Sequence, residues 1–311
     1  MSALAFAILA LLLVGPVPAL LARASWPMRA PRAAIVLWQS IAVAAVLSAF
    51  SAGLAIASRL FVPGPDGRPT ATLTSEIAAL GWPLWLAYVV VFALTLLIGA
   101  RLMVAIVQVA VATRRRRAHH RMVVDLLGEC RHGVHGMTGL RVLDVSEPLA
   151  YCLPGVRSRV VLSEGTLSAL SDRELAAILS HERAHLRARH DLVLEAFIAV
   201  HTAFPRFVRS GSALAAVRLL VEMLADDAAV RTAGPAPLAR ALVACASAPT
   251  PKGALAGGGP TTLIRVRRLA GAPNSLLLSL LAYTAAAAVL VVPTIAVAMP
   301  WLTELHRLFL S

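Results

Sequence analysis

Residues 77–100 read IAALGWPLWLAYVVVFALTLLIGA, a run without a single charge, and about 20 helical residues suffice to cross a hydrocarbon core. Three further stretches, 1–22, 33–58 and 269–303, are equally free of charge. With 59% hydrophobic and 14% charged residues over 311 positions, the composition excludes an ordinary soluble globular protein. The apolar mass is Ala, Leu and Val, and 5% aromatic content favours spanning helices over the strands of a β-barrel. Four spans are expected, near 2–22, 34–60, 83–112 and 276–298. Pro16, Pro18 and Pro293 are expected to kink them, since proline removes a helical hydrogen bond. The first stretch has no basic residue ahead of its apolar run, so it is expected to be a retained anchor and not a cleaved signal peptide.

The formal net charge is +13, and residues 114–268 hold 22 of the 29 basic and 13 of the 16 acidic side chains. The expected organisation is therefore three transmembrane helices within 1–113, an internal soluble domain over 114–275, the fourth helix at 276–298 and a short tail over 299–311. Arg114, Arg115, Arg116, Arg117 and Arg121 follow the third span, and Arg23, Arg29 and Arg32 lie between the first two. By the positive-inside rule these flanks are cytoplasmic, which places the 114–275 block inside and both termini outside. The Pro/Gly-rich loop 59–81, in which Asp66 and Glu76 offset its two arginines, suits the outer face. Beside a span, the Arg114–Arg117 run reads as a topology signal that touches anionic headgroups of the lipid bilayer, so no direct nucleic-acid binding is expected. Arg101 falls inside the third apolar stretch, and because that stretch exceeds what a bilayer needs, the arginine is expected to mark the interface or snorkel. Cys130, Cys152 and Cys245 are odd in number and lack C-x-x-C spacing, so they supply neither a disulfide framework nor a thiolate zinc site.

Inside the block, Leu140–Val145 and Arg159–Leu162 are expected to be short strands around a Pro154-Gly155 turn. Ser171 with Glu174 three residues on forms a capping box, and Leu175, Ile178, Leu179 and Leu186 follow at helical spacing. A second helix is expected over about 192–203, too short to span, packing in the domain or at the membrane interface. A third is expected over about 212–232, closed by Gly234 and Pro235.

The chemistry sits on the capped helix. In His181-Glu182-Arg183-Ala184-His185 two histidines four residues apart project from one face and can grip one zinc ion. Glu182 lies beside them, where a carboxylate can serve as general base toward an activated water. A catalytic zinc needs a third protein ligand, and Glu222 in Glu222-Met223-Leu224-Ala225-Asp226 can supply it, with Asp226 on the same face accepting a hydrogen bond from a ligand histidine. Asp191 is expected to cap the next helix and Asp227 to face solvent. His190 and His201 could donate to an oxyanion, but His119, His120, His132 and His135 show how frequent unassigned histidines are in this chain. The Gly253–Pro260 segment is expected to be a flexible linker.

The pattern from Glu147 to Asp226, with Val160-Val161-Leu162-Ser163, then Leu-Ser-Asp-Arg-Glu-Leu leading into His-Glu-x-Ala-His, then Arg189-His190-Asp191 and Glu-x-x-Ala-Asp, resembles gluzincin membrane peptidases. Three spans before that block and one after it resemble the BlaR/MecR family, metallopeptidases that relay a β-lactam signal to a DNA-binding repressor. The resemblance implies a mainly α protein of the bacterial plasma membrane, with an internal cytoplasmic α+β gluzincin-type domain holding one Zn2+ per chain. It further implies a protein substrate, a cytoplasmic repressor of the BlaI type, with self-cleavage a second outcome, in an antibiotic or cell-envelope stress response. The best-known members continue into an extracellular penicillin-binding sensor. After residue 298 this sequence offers 13 residues, and its single lysine, Lys252, has Pro249 three positions before it in place of the serine an acyl-serine sensor needs. Signal input is then expected through the spans, the 59–81 loop or a separate sensor protein, and a homo-oligomer is a further candidate partner. Two alternatives remain at the sequence level: a quality-control protease of the HtpX type, whose usual form places two spans on each side of the zinc motifs, and a non-proteolytic membrane signalling adaptor.

Overall fold

A computed structural model describes residues 2–57, 77, 81–130, 139–155, 158–204, 211–246, 261–271 and 273–310. Most of the 59–81 loop, His132, His135, Lys252 and the Gly253–Pro260 linker lie outside the described residues. The chain is mainly helical, with one small sheet, and among the described residues four helical segments are long and apolar enough to cross a membrane.

The first of these is broken where the sequence expects a kink. Helix α1 covers Ser2–Val14 and α2 covers Pro16–Arg23, because Pro16 cannot continue the hydrogen-bond ladder across Gly15. A 3-10 turn over Trp26–Arg29 leads into α3, Pro31–Ala57. Helix α4 runs from Trp82 to Leu127. It therefore passes unbroken through residue 113, where the span was expected to give way to a separate domain. Residues 113–127 contain neither glycine nor proline, and Gly128 is the first residue that can end the helix. Two close approaches join these spans: a Cβ on Gly53 would collide with the Thr95 side chain, and one on Gly99 would meet the Phe50 ring, so glycine is what lets α3 and α4 touch.

Four strands follow: β1 Glu129–Cys130, β2 Leu140–Leu143, β3 Ala150–Leu153 and β4 Arg159–Ser163. Their spatial order is β1-β2-β4-β3, with β2 and β4 parallel and the outer pairs antiparallel. The Pro154-Gly155 turn thus joins β3 to β4, and the two expected strands are parallel neighbours, not arms of one hairpin. Short helix α5, Glu164–Ala169, follows directly, its N-terminus capped by the Ser163 hydroxyl accepting from the Thr166 amide.

Helix α6, Asp172–Arg187, opens with the expected capping box, in which the Ser171 amide donates to the Glu174 carboxylate at 3.0 Å. Helix α7 is His190–Ala203, α8 is Gly211–Ala233 and α9 is Pro235–Ala244. Pro235 begins the next helix, as suits a residue with no amide to offer, while Gly234 at φ +86 closes α8. Helix α10, Thr262–Leu269, precedes α11, Leu276–Leu310. The fourth helix continues through Pro293 and beyond residue 298, so the expected tail is helical up to Leu310.

Among the described residues, two larger cores and two smaller apolar clusters organise these elements. Leu140, Cys152, Val160 and Leu162 of the sheet pack with Leu175, Ile178 and Leu179 of α6 and Leu238 and Leu242 of α9. In the other larger core, Val217, Leu220, Val221 and Met223 of α8 and Phe197 of α7 share one apolar cluster with Leu13, Leu21, Ala34, Trp38 and Ile41 of the spans and Ala286 of α11. Helices α7 and α8 are consequently seated on the spans; burying a large aliphatic or aromatic side chain contributes about 1.5–3 kcal/mol.

Candidate metal centre

Helix α6 carries His181, Glu182 and His185 at its C-terminal half, all with 1% exposure or less. Helix α8 lies against α6 and delivers Glu222 and Asp226 to the same place. His181 Nε2 and His185 Nε2 face each other at 3.2 Å, and the Glu222 carboxylate oxygens stand 3.5 and 3.6 Å from those two nitrogens. One ligand atom from each of the three lies within 4.8 Å of the others. Two imidazole nitrogens and a carboxylate converging this way match the donor set of a catalytic zinc site, in which a fourth position stays open. The opposite ring nitrogen of His181, Nδ1, lies 3.0 Å from Asp226 Oδ1. Glu182 is buried with one carboxylate oxygen unpartnered, and the Cys152 thiol of β3 donates to it.

Arg265, on α10, is fully buried against the two carboxylates of α8. Its Nε and Nη2 donate to Asp226 at 2.8 and 2.6 Å, and its Nη1 is 3.1 Å from Glu222 Oε2. Neither the spacing of the motif nor that of the acidic pair announces this residue. The signal is that Arg265 falls on the same helical face as Thr262, Val266 and Leu269, which pack inward, and away from Arg267.

Two expectations are corrected here, those for Asp191 and Asp227. Asp191 does not cap α7: the N-cap position is Arg189, and Asp191 sits in the first turn, buried, 3.1 Å from Arg117 Nη1. Arg117 also reaches Glu195 at 2.7 Å, so α7 is held to α4 by a shared ion pair. Asp227 is partly exposed but not free: Arg268 pairs with it at 2.8 Å and the Asn274 amide donates to it. Arg101 is exposed and donates through Nε to the Ala203 carbonyl at the end of α7 at 3.3 Å. His190 is buried and touches His185, Nδ1 to Nδ1 at 3.0 Å.

The electrostatics follow from this packing. Burial alone would pull His181 down, but the Asp226 and Glu222 carboxylates overcome it and push His181 up to about 9. Burial pulls His185 down to about 3; two rings 3.2 Å apart do not both become cationic, and the carboxylates beside His181 decide which one does. Burial raises Glu182 to about 7, within the working range of a general base or acid. Asp226 is held well below the usual carboxylate range, because its bonds to Arg265 and His181 outweigh its burial.

These shifts set a pH dependence for the metal-free protein. His181 has its pKa raised on folding, so the stabilisation it provides is fully present below 6.5 and is lost as pH climbs through about 9. A metal held by His181 Nε2 would displace the same proton. Titration calorimetry in buffers of differing ionisation heat is expected to show proton release on zinc binding at pH 7.5 that fades above pH 9; release independent of pH across that window would contradict the assignment.

The chain thus combines four helices long and apolar enough to cross a membrane with a buried group of two histidines and a glutamate that could hold a metal ion. Residues 66–207, somewhat under half of the chain and including the His181–His185 motif, match the family model described as BlaR1 peptidase M56. The match supports the BlaR/MecR-type family for this chain, a family of metallopeptidases. No curated protein and no solved structure matches it.

Proposed function

We propose that the chain is a zinc-dependent endopeptidase in which His181, His185 and Glu222 hold the metal, Glu182 is the general base and Asp226 orients His181. The observation that carries this reading is the convergence of the three ligand atoms within 4.8 Å beside a buried carboxylate whose second oxygen is unpartnered. Zinc, when bound, supplies Lewis acidity, polarising the scissile carbonyl and lowering the pKa of water. Glu182 takes a proton from the attacking water and passes it to the leaving amine. In the metal-free protein, burial raises its pKa to about 7. Asp226 fixes the His181 tautomer through Nδ1, and Arg265 keeps Asp226 and Glu222 from separating. The burial of the centre between α6 and α8 excludes bulk water, which strengthens each of these interactions.

Positive-inside placement of Arg114–Arg117 puts the centre on the cytoplasmic side, with 114–275 as the peptidase block between the third and fourth spans. On the likeness to the BlaR1 peptidase family, the substrate is a cytoplasmic repressor of the BlaI type, with self-cleavage as a second outcome. One observation favours the alternative of membrane-protein quality control: Val221 and Met223, flanking Glu222, pack on the spans, which sets the centre close to the bilayer. Co-expression of the chain with a winged-helix repressor, followed by mass spectrometry of new protein termini, separates the two. A single cut in the repressor is the expected result; many cuts in membrane proteins with the repressor intact would overturn the substrate assignment.

A further inference from the structure

Helix α6 ends at Arg187 and α7 begins at His190, and the reversal between them runs through Arg189 in the left-handed region, φ 51 and ψ 43. Among the described residues it is the one non-glycine with positive φ, a conformation that disfavours a Cβ. The consequence of this tight turn is that His190 folds back onto the helix it follows. Its ring meets that of His185 edge-on, at 85° with centroids 4.9 Å apart, and the two Nδ1 atoms are 3.0 Å apart.

His185 turns Nε2 toward His181 and Glu222 and leaves Nδ1 on the far side. An imidazole that offers its Nε2 lone pair to a cation must keep its proton on Nδ1, and that proton needs an acceptor. Among the described residues the acceptor facing it is His190 Nδ1. We infer that His190 is a positioning residue for His185: it accepts the Nδ1 proton, which holds the ring in the ligand tautomer and orientation, and itself keeps its proton on Nε2. The inference rests on the reading of His185 as a metal ligand. It makes the support of the two ligand histidines unequal, a carboxylate behind His181 and a neutral imidazole behind His185.

His190 is in turn held from outside the centre. The next residue, Asp191, is 2% exposed and pairs with Arg117, which also binds Glu195 one helical turn further on. Arg117 belongs to α4, the helix of the third span, so the position of His190 against His185 is fixed by the same helix that crosses the membrane. Arg101 pins the other end of α7 to α4, which keeps α7 from sliding along it.

The test uses the full chain in detergent and measures zinc affinity by competition with a fluorescent chelator for the wild type, His190→Asn and His190→Leu. Asparagine places an acceptor oxygen where His190 Nδ1 stands; leucine fills the volume without one. Loss of an outer partner of a ligand histidine lowers metal affinity by roughly 10–100-fold, so His190→Leu is expected to fall in that range and His190→Asn to recover most of it. The melting temperature of the metal-free form is expected to differ little among the three. If His190→Leu does not accumulate as folded protein, His190→Ala takes its place against the same asparagine variant. Unchanged affinity in the leucine or alanine variant, or equal loss in the asparagine variant, overturns the role of His190 while leaving the ligand set standing. A wild type that binds no zinc overturns the ligand set and this inference with it.

Discussion

Glu182→Gln is expected to lower peptide hydrolysis by roughly 10²–10⁴-fold, the usual contribution of a positioned general base, while zinc stays bound. Glutamine fills the same volume beside Cys152 and α6, so neither the packing around a residue that is 1% exposed nor the three proposed ligands are disturbed. The variant removes one capacity, that of taking a proton from water. Initial rates on a cleaved substrate, read beside zinc content by atomic absorption, check it. A variant that cleaves as fast as the wild type would mean that Glu182 is a structural carboxylate and that another group takes the proton from water.

The second large effect concerns stability. Arg265→Leu leaves Asp226 and Glu222 inside the protein with His181, among the described residues, as the one cation facing both. Breaking a buried ion pair by removing one partner costs about 3–5 kcal/mol, and here the guanidinium serves two carboxylates at 2.6 to 3.1 Å. The metal-free variant is therefore expected to melt well below the wild type, and added zinc, which neutralises the same carboxylates, to restore part of the difference. Combining it with Asp226→Leu removes the uncompensated charge and is expected to recover stability relative to Arg265→Leu alone. A single variant as stable as the parent would show that the two carboxylates do not need Arg265 as their counter-charge.

What could be read from the sequence and what could not divides along the length scale of the interactions. Runs without charge announce helices that cross a bilayer, because the cost of burying an unpaired charge is a local property of the segment. The capping box at Ser171 and the two histidines four apart are local as well, and both lie where their spacing implies. Boundaries were less legible: nothing in residues 113–127 breaks a helix, so α4 runs on past its apolar part, and Ala150–Leu153 is too short and too uniformly buried to show the alternation of a strand.

The acidic residues were misread for a related reason. Asp191 and Asp227 have sequence neighbours that suit a cap and an exposed surface, yet each is claimed by an arginine 74 or 41 residues away. The same holds for Arg265, whose partner Asp226 lies 39 residues before it. Such pairs are set by which helices are brought together, in this case by the packing of α7 on α4 and of α10 against α8. A helical period cannot report them. Glu222 was accessible because a missing third ligand could be sought by chemistry, and α6 and α8 do bring it within 3.6 Å of both imidazoles.

The central claim is the ligand set, and zinc-edge X-ray absorption on the metal-loaded full chain tests it most directly. The account predicts a first shell of nitrogen and oxygen at about 2.0–2.2 Å with the multiple-scattering signature of two imidazoles and no sulfur. A sulfur contribution at about 2.3 Å, bringing Cys152 or Cys245 into the shell, or a spectrum with fewer than two imidazoles, would contradict it.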